Sequence, residues 1–123
     1  DNIEFLGYIE PSELKVYMRN ARAFVFAAEE DFGIVPVEAQ ACGTPVIGLA
    51  KGGLLETVKH NYTGILFENQ TSQSILNALK YFDTQSFEPE IIRASVEKFS
   101  KKRFEKEIKD FVELKSKDFF RTK

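Results

Sequence analysis

The hydrophobic and polar positions along the chain form two kinds of pattern. Short apolar runs of strand-forming residues are typical of strands buried in a parallel sheet, whereas apolar positions that recur every three or four residues are typical of amphipathic helices. The predicted strands are residues 3–9, 23–27, 45–49 and 64–67. Helices are predicted over 11–20, 33–42 and 54–58, from a cap within 69–74 to about 82, from 89 to 99, and from 101 onward. Strands that alternate with helices predict an α/β fold with a parallel sheet flanked by helices.

The composition is that of one globular domain with an uneven charge. The 123 residues are 43% hydrophobic and 13% aromatic, enough for a packed core. The net charge of −2 combines seven Lys and Arg against thirteen Asp and Glu in residues 1–96 with ten against six in residues 97–123. An acidic body argues against nucleic acid as a partner. The single cysteine, Cys42, excludes an internal disulfide and a multi-cysteine metal site, and we expect it to be a small buried residue.

The chain begins without an initiator methionine, at Asp1, almost directly in a predicted strand. No apolar run approaches the length of a membrane span, and no signal peptide opens the chain. We therefore expect a fragment of a longer protein.

The most informative stretch is an acidic loop followed by a helix. Glu29, Glu30 and Asp31 follow the predicted strand 23–27, at the sheet edge where ligands of α/β proteins bind. If the helix starts near Gly33, Glu30 lies in the loop at its N-terminus and Glu38 about a turn and a half inside. An open helix N-terminus suits phosphate, and carboxylates suit hydroxyl groups. Phosphate together with hydroxyl groups describes a nucleotide sugar.

The same stretch resembles a known signature. Glu30 and Glu38 with seven residues between them, Phe32-Gly33, and the run from Glu38 to Ile47 are similar to the signature of retaining glycosyltransferases of family 4. These enzymes have the GT-B fold, two Rossmann-like domains with the active site in the cleft between them. Three further segments continue the resemblance at the usual spacing, so that it covers roughly residues 1–115: Phe5-Leu6-Gly7, Gly52-Gly53-x-x-Glu56-x-Val58 and Thr63–Phe67.

The resemblance implies a role for each matched position. Glu30 would be the catalytic-site carboxylate that meets the hydroxyls of the donor sugar, and Glu38 would bind the ribose. The backbone of Phe32, Gly33, Ile34 and Val35 would approach the sugar and the diphosphate, and the nucleobase would lie near Gly7, Tyr8 and Ile9. The donor would be a nucleoside diphosphate sugar. No cofactor or metal is expected, because GT-B enzymes neutralise the diphosphate with a helix N-terminus and basic side chains and because no Asp-x-Asp motif is present.

The resemblance also implies what these residues lack. The family's C-terminal domain starts with two more strand–helix units, which carry an Arg and a Lys that grip the diphosphate, and an N-terminal domain binds the acceptor. Residues 1–123 would thus be a partial C-terminal nucleotide-sugar-binding domain, inactive alone, with a helical tail from about 88 to 123. Strand 3–9 would have no neighbour, and we expect exposed strand edges to self-associate.

The predicted function is transfer of a hexose, on family frequency mannose or glucose, with retention to a glycan or lipid-linked acceptor in surface polysaccharide synthesis. The alternatives are a non-catalytic module that binds a nucleotide or a partner chain, and another GT-B enzyme such as a nucleotide-sugar epimerase. The expected location is the cytoplasm. The basic, phenylalanine-rich tail is expected to pack on the domain; its alternative is peripheral contact with the inner face of an anionic membrane.

Several other positions carry weaker expectations. Gly52-Gly53 fits a plain turn better than a phosphate cradle, and Lys51 and His60 fit surface residues better than catalytic ones. Ile34, Val37 and Ala41 are expected on one face of helix 33–42, with Glu38 on another.

Overall fold

Three parallel strands form the sheet in a computed structural model that describes residues 2–121. The strands are β1 (Phe24–Phe26), β2 (Val46–Leu49) and β3 (Gly64–Phe67), and they lie in the order β1-β2-β3. Val25 pairs with Ile47, and Ile47 pairs with Ile65. This arrangement confirms the predicted parallel α/β sheet.

Helices connect and flank the strands. They are α1 (Pro11–Asn20), α2 (Ile34–Ala41), α3 (Leu54–Thr57), α4 (Ser72–Phe82), α5 (Pro89–Val96), a 3₁₀ turn (Glu97–Phe99) and α6 (Lys101–Arg121). Proline occupies the first turn of α1 and α5, where its missing N–H costs nothing. The Thr71 side chain caps α4 by accepting a 3.2 Å hydrogen bond from the Ser74 N–H.

The core has one layer on each face of the sheet. Because side chains alternate along a strand, β2 sends Ile47 and Leu49 toward α4 and Val46 toward α2. All four residues of β2 are buried, which confirms the prediction of a strand covered on both faces.

Two expectations for the first part of the chain are wrong. Residues 3–9 form no strand, and the side chain of Phe5 is 94% exposed. A strand needs a neighbour for its backbone hydrogen bonds, and in residues 2–121 none pairs with this segment. The strand predicted over 23–27 is shorter, and its Val25 is 46% exposed rather than buried, because β1 is an edge strand.

The tail helix α6 stands apart from the core. None of its described residues is buried, so the expectation that it packs on the domain is wrong for this part of the chain. Its apolar face, Phe104, Ile108, Phe111 and Val112, lies in solvent. Ion pairs one turn apart support it instead, such as Lys101–Glu105 at 3.6 Å and Lys109–Glu113 at 3.9 Å. Over residues 2–121, no helix is both long and apolar enough to cross a membrane.

Candidate functional site

The loop between β1 and α2 ends in an open helix N-terminus. Gly33 precedes α2 in the left-handed region, with φ of 78°, and no side chain caps the helix. The first N–H groups of a helix have no partner within it, and here they belong to Gly33, Ile34 and Val35, since Pro36 has none. A β-carbon at residue 33 would lie 3.1 Å from Leu54 Cδ1, so the position is both strained and crowded for any other residue. The helix N-terminus therefore presents donors to an anion.

The two signature carboxylates flank this N-terminus as the helix boundaries predict. Glu30 lies in the loop, and Glu38 is the fifth residue of α2, about 6 Å along the axis from Ile34. Both side chains are exposed, and neither makes a hydrogen bond or an ion pair within residues 2–121. The exposed ring of Phe32 packs edge-to-face on Phe99, with ring centroids 5.3 Å apart.

An open groove of about 630 Å³ separates α2 from α5 and the 3₁₀ turn. Its apolar walls include Phe32 and Phe99, and Ile34, Val37, Glu38 and Ala41 all line it. The expectation that Glu38 lies on another face of α2 is therefore wrong. At 100° per residue these four positions fall within one arc of the helix, and the face turned to the core is Pro36, Ala39 and Gln40.

A second cavity, of about 250 Å³, lies between α1 and α2. Glu38 and Ala41 line it as well, together with Pro11, Leu14, Lys15, Met18 and Cys42. Cys42 is half-buried rather than buried, which corrects the expectation for it. Glu38 thus lines two cavities, and Lys15 lines the smaller one with it.

The turn after β2 supports the acidic loop, a role that the sequence interpretation missed. The Gly53 N–H donates a 2.8 Å hydrogen bond to the Glu30 carbonyl. A β-carbon at Gly52 would lie 2.1 Å from Glu30 O, and one at Gly53 would lie 2.2 Å from Phe32 O. Lys51 Nζ lies 3.7 Å from the Glu29 carboxylate. In the sequence, the only sign of this contact is the pair of glycines after a buried strand. The fold is needed to show that these glycines let the backbone of Glu30 and Phe32 pack closely against the turn.

Two more contacts fix the ends of this region. The Gln70 side-chain amide, just after β3, donates a 2.7 Å hydrogen bond to the Ala27 carbonyl at the start of the loop. At the other end of α2, the Arg93 guanidinium lies 3.4 Å from the Cys42 carbonyl and 2.6 Å from Glu90. A cation suits the C-terminal end of a helix. The Gln70–Ala27 and Arg93–Cys42 contacts each join residues more than forty positions apart.

The residues expected near the nucleobase lie in the segment before α1. Tyr8 is 84% exposed, and no atom lies within 4 Å of the place where a Gly7 β-carbon would be. Ile9 is half-buried, two residues before Pro11 of the smaller cavity.

His60 has a structural role at the sheet edge. Its Nδ1 accepts a 3.0 Å hydrogen bond from the Leu66 N–H, and its ring stacks on Tyr81. Within the described part of the chain, no three His, Cys, Asp or Glu side chains are placed to hold a metal ion.

The chain is similar in sequence to proteins named as glycosyltransferases, and similar in fold to a solved sucrose-phosphate synthase. The chain is 39% identical over 74 residues to an uncharacterized glycosyltransferase of Methanocaldococcus jannaschii. The aligned region covers 59% of this chain and 19% of that protein. It is 39% identical over 79 residues to the D-inositol 3-phosphate glycosyltransferase of Paenarthrobacter aurescens, and this aligned region covers 62% of this chain and 19% of that protein. The structure of sucrose-phosphate synthase from Thermosynechococcus elongatus matches with a TM-score of 0.59 and 36% identity, covering 76% of this chain and 23% of that one.

The matched part of the chain spans about a fifth of the length of each of these relatives. The family model described as glycosyl transferases group 1 matches residues 1–103, most of the chain. The fold, the signature stretch and these matches lead to one conclusion: the chain belongs to the glycosyl transferases group 1 family.

Proposed function

We propose that this chain is the donor-binding part of a glycosyltransferase that moves a hexose from a nucleoside diphosphate sugar to a glycan or lipid-linked acceptor with retention. The observation that carries the proposal is the uncapped N-terminus of α2 between two free carboxylates. The N–H groups of Gly33, Ile34 and Val35 suit the diphosphate, because a helix N-terminus offers both donors and a favourable dipole.

The two carboxylates would bind the hydroxyl groups of the donor, one at the ribose and one at the transferred sugar. Glu38, one turn inside the helix, would accept hydrogen bonds from the ribose hydroxyls. The nucleobase would lie near Gly7, Tyr8 and Ile9. Glu30 would face the hydroxyls of the sugar, as the carboxylate nearest the transferred group. Phe32 and Val35 would lie along the sugar and the diphosphate through their backbone.

The charge around this site explains why we expect the chain to be inactive alone. Glu29, Glu30 and Asp31 lie in the loop just before the helix N-terminus, and Lys51 is paired with Glu29. A diphosphate placed there meets more negative than positive side chains. The cations that stabilise the leaving group, and the wall that binds the acceptor, would come from outside these residues.

Glycosyl transfer is favoured over epimerisation by the relatives, two of which are named as a D-inositol 3-phosphate glycosyltransferase and a sucrose-phosphate synthase. The non-catalytic alternative is tested directly by ligand binding.

We propose a cytoplasmic location, with α6 touching the inner face of the membrane through its phenylalanine-rich side. Sedimentation with anionic vesicles, compared between the whole chain and residues 1–100, measures that contact.

The deciding experiment is a calorimetric titration of the folded chain with UDP, GDP and ADP. One nucleotide should bind, and Glu38→Ala should weaken its binding by roughly tenfold to 150-fold, the loss expected for hydrogen bonds to a charged group. Glu113→Ala, an exposed carboxylate on α6, is the matched control and should change nothing. If no nucleotide binds to a folded sample, the donor-site proposal is wrong and the non-catalytic module remains.

A further inference from the structure

The peptide group between Phe32 and Gly33 sets the direction of the first free donor at the N-terminus of α2. A trans peptide group is planar, so the Phe32 carbonyl and the Gly33 N–H point in opposite directions and can only turn together. Gly33 itself restricts this rotation little, because glycine is the most flexible residue of the backbone, and here its φ is 78°. The direction of this N–H therefore depends on what holds Phe32.

The backbone of Phe32 is held on one side by the turn after β2. A β-carbon at Gly53 would lie 2.2 Å from Phe32 O and 2.4 Å from Phe32 Cα, so the two backbones are in close contact. The hydrogen bond from the Gly53 N–H goes to Glu30, two residues earlier in the loop. Close packing stops Phe32 from moving toward Gly53, but it does not stop Phe32 from moving away.

The side chain of Phe32 is held from the other end of the chain. Its ring, 40% exposed, packs on the half-buried ring of Phe99 with the ring planes 86° apart. Edge-to-face packing has a preferred direction as well as a preferred distance. Phe99 can therefore hold the Phe32 side chain against rotation, which the contact with Gly53 alone does not do.

The turn that carries Phe99 is itself fixed to the body of the domain. This 3₁₀ turn follows directly after Val96, which ends α5 and is 5% exposed. The Ser100 N–H closes the turn by donating a 3.0 Å hydrogen bond to the Glu97 carbonyl. The buried anchor and the closed turn together place the Phe99 ring beside the loop that precedes α2.

We propose that Phe99 is a positioning residue of the donor site: its ring holds Phe32, and Phe32 directs the Gly33 N–H toward the diphosphate. The inference rests on the proposed function, because it requires phosphate to bind at the N-terminus of α2. Without the Phe99 ring, the peptide group before Gly33 can turn, and binding must then order it. Loss of the ring pair should weaken nucleotide binding roughly twofold to tenfold.

Calorimetric titration of the whole chain with UDP, GDP and ADP measures this effect, and ¹⁵N relaxation of the backbone amides at residues 32 and 33 measures the motion of the loop without any nucleotide. Phe99→Ala should weaken binding of the preferred nucleotide and increase the fast motion at both amides. Phe99→Tyr keeps the ring and should restore both properties. Phe99→Leu keeps an apolar side chain for folding but not the ring, and it should behave like the alanine variant.

Two further variants separate positioning from a general loss of stability. Phe87→Ala removes a ring that stacks on Phe82 at 5.2 Å in the core layer on the α4 side of the sheet, so it should leave nucleotide binding unchanged. In a Phe32→Ala background, Phe99→Ala should weaken binding no further, because the side chain through which Phe99 acts is gone.

Equal binding by the native chain and by Phe99→Ala and Phe99→Leu overturns the proposal, and so does a loss in Phe87→Ala as large as that in Phe99→Ala. If the native chain binds none of the three nucleotides, the proposed function fails separately, and the relaxation data then decide the role of Phe99. Unchanged motion at residues 32 and 33 would overturn that role, whereas increased motion that Phe99→Tyr reverses would support it.

Discussion

The support of the acidic loop by Gly53 leads to a prediction whose magnitude follows from the structure. Gly53 has helical angles, φ −63° and ψ −20°, which alanine adopts without strain. Gly53→Ala therefore tests the contact with the loop alone. The new β-carbon would lie 2.2 Å from Phe32 O and 2.4 Å from Phe32 C, so the loop must move by at least about 0.8 Å to reach even a 3.0 Å contact.

Three contributions set the size of the effect. Forcing a methyl group into a packed site costs about 1–3 kcal/mol, and loss of the hydrogen bond from the residue 53 N–H to Glu30 costs about 0.5–1.5 kcal/mol. Replacement of glycine lowers the conformational entropy of the unfolded chain, which stabilises the folded state by roughly 0.4–1 kcal/mol. The net result is a loss of about 2 kcal/mol in the free energy of unfolding.

Urea denaturation followed by circular dichroism measures this loss, and amide NMR shifts at residues 30–32 report whether the loop has moved. Leu55→Ala, in the same short helix and 60% exposed, is the control and should cost much less. If Gly53→Ala is as stable as the native chain and the shifts at 30–32 are unchanged, Gly53 is a plain turn residue and the support argument fails.

Three further predictions test the surroundings of the site by denaturation. Phe32→Ala and Phe99→Ala should show a coupling free energy of about 0.5–1.5 kcal/mol in a double-mutant cycle, since their rings form an edge-to-face pair; strict additivity would contradict that contact. Gly43→Ala should destabilise by roughly 1–2 kcal/mol because φ is 86° there, and most of the loss should persist when Arg93 is also alanine; full recovery would assign the loss to the Arg93 clash instead. Truncation after Ser100 should change the free energy of unfolding by less than about 1 kcal/mol, because α6 buries no described residue, and a larger loss would show packing that the structure lacks.

The elements that were predicted correctly are determined by residues within them or next to them in the sequence. The apolar runs of β2 and β3, the proline at the start of α1 and α5, and the glycine before α2 act within a few residues of themselves. These signals place Glu30 and Glu38 at the helix N-terminus without any knowledge of the fold.

The error about the face of Glu38 is one of local helix geometry, whereas the other errors depend on neighbours distant in the sequence. Residues 3–9 have the composition of a strand, but a strand forms only where another strand pairs with it. The exposure of Val25 follows from the position of β1 at the edge, which its apolar sequence does not encode. The contacts of Gly53 with Glu30 and of Arg93 with Cys42 join positions far apart in the sequence, and no periodic pattern points to them.

The anchors of the acidic loop all come from one side of it. Gly53 and Lys51 follow β2, and Gln70 follows β3; together they hold Ala27, Glu29 and Glu30 by two hydrogen bonds and an ion pair. Nothing on the open side of β1 takes part in these contacts. The conformation of the loop is therefore set by the strands that this chain contains, and it should persist whether the β1 edge is open or covered. It follows that covering that edge would leave the loop backbone that positions Glu30 unchanged.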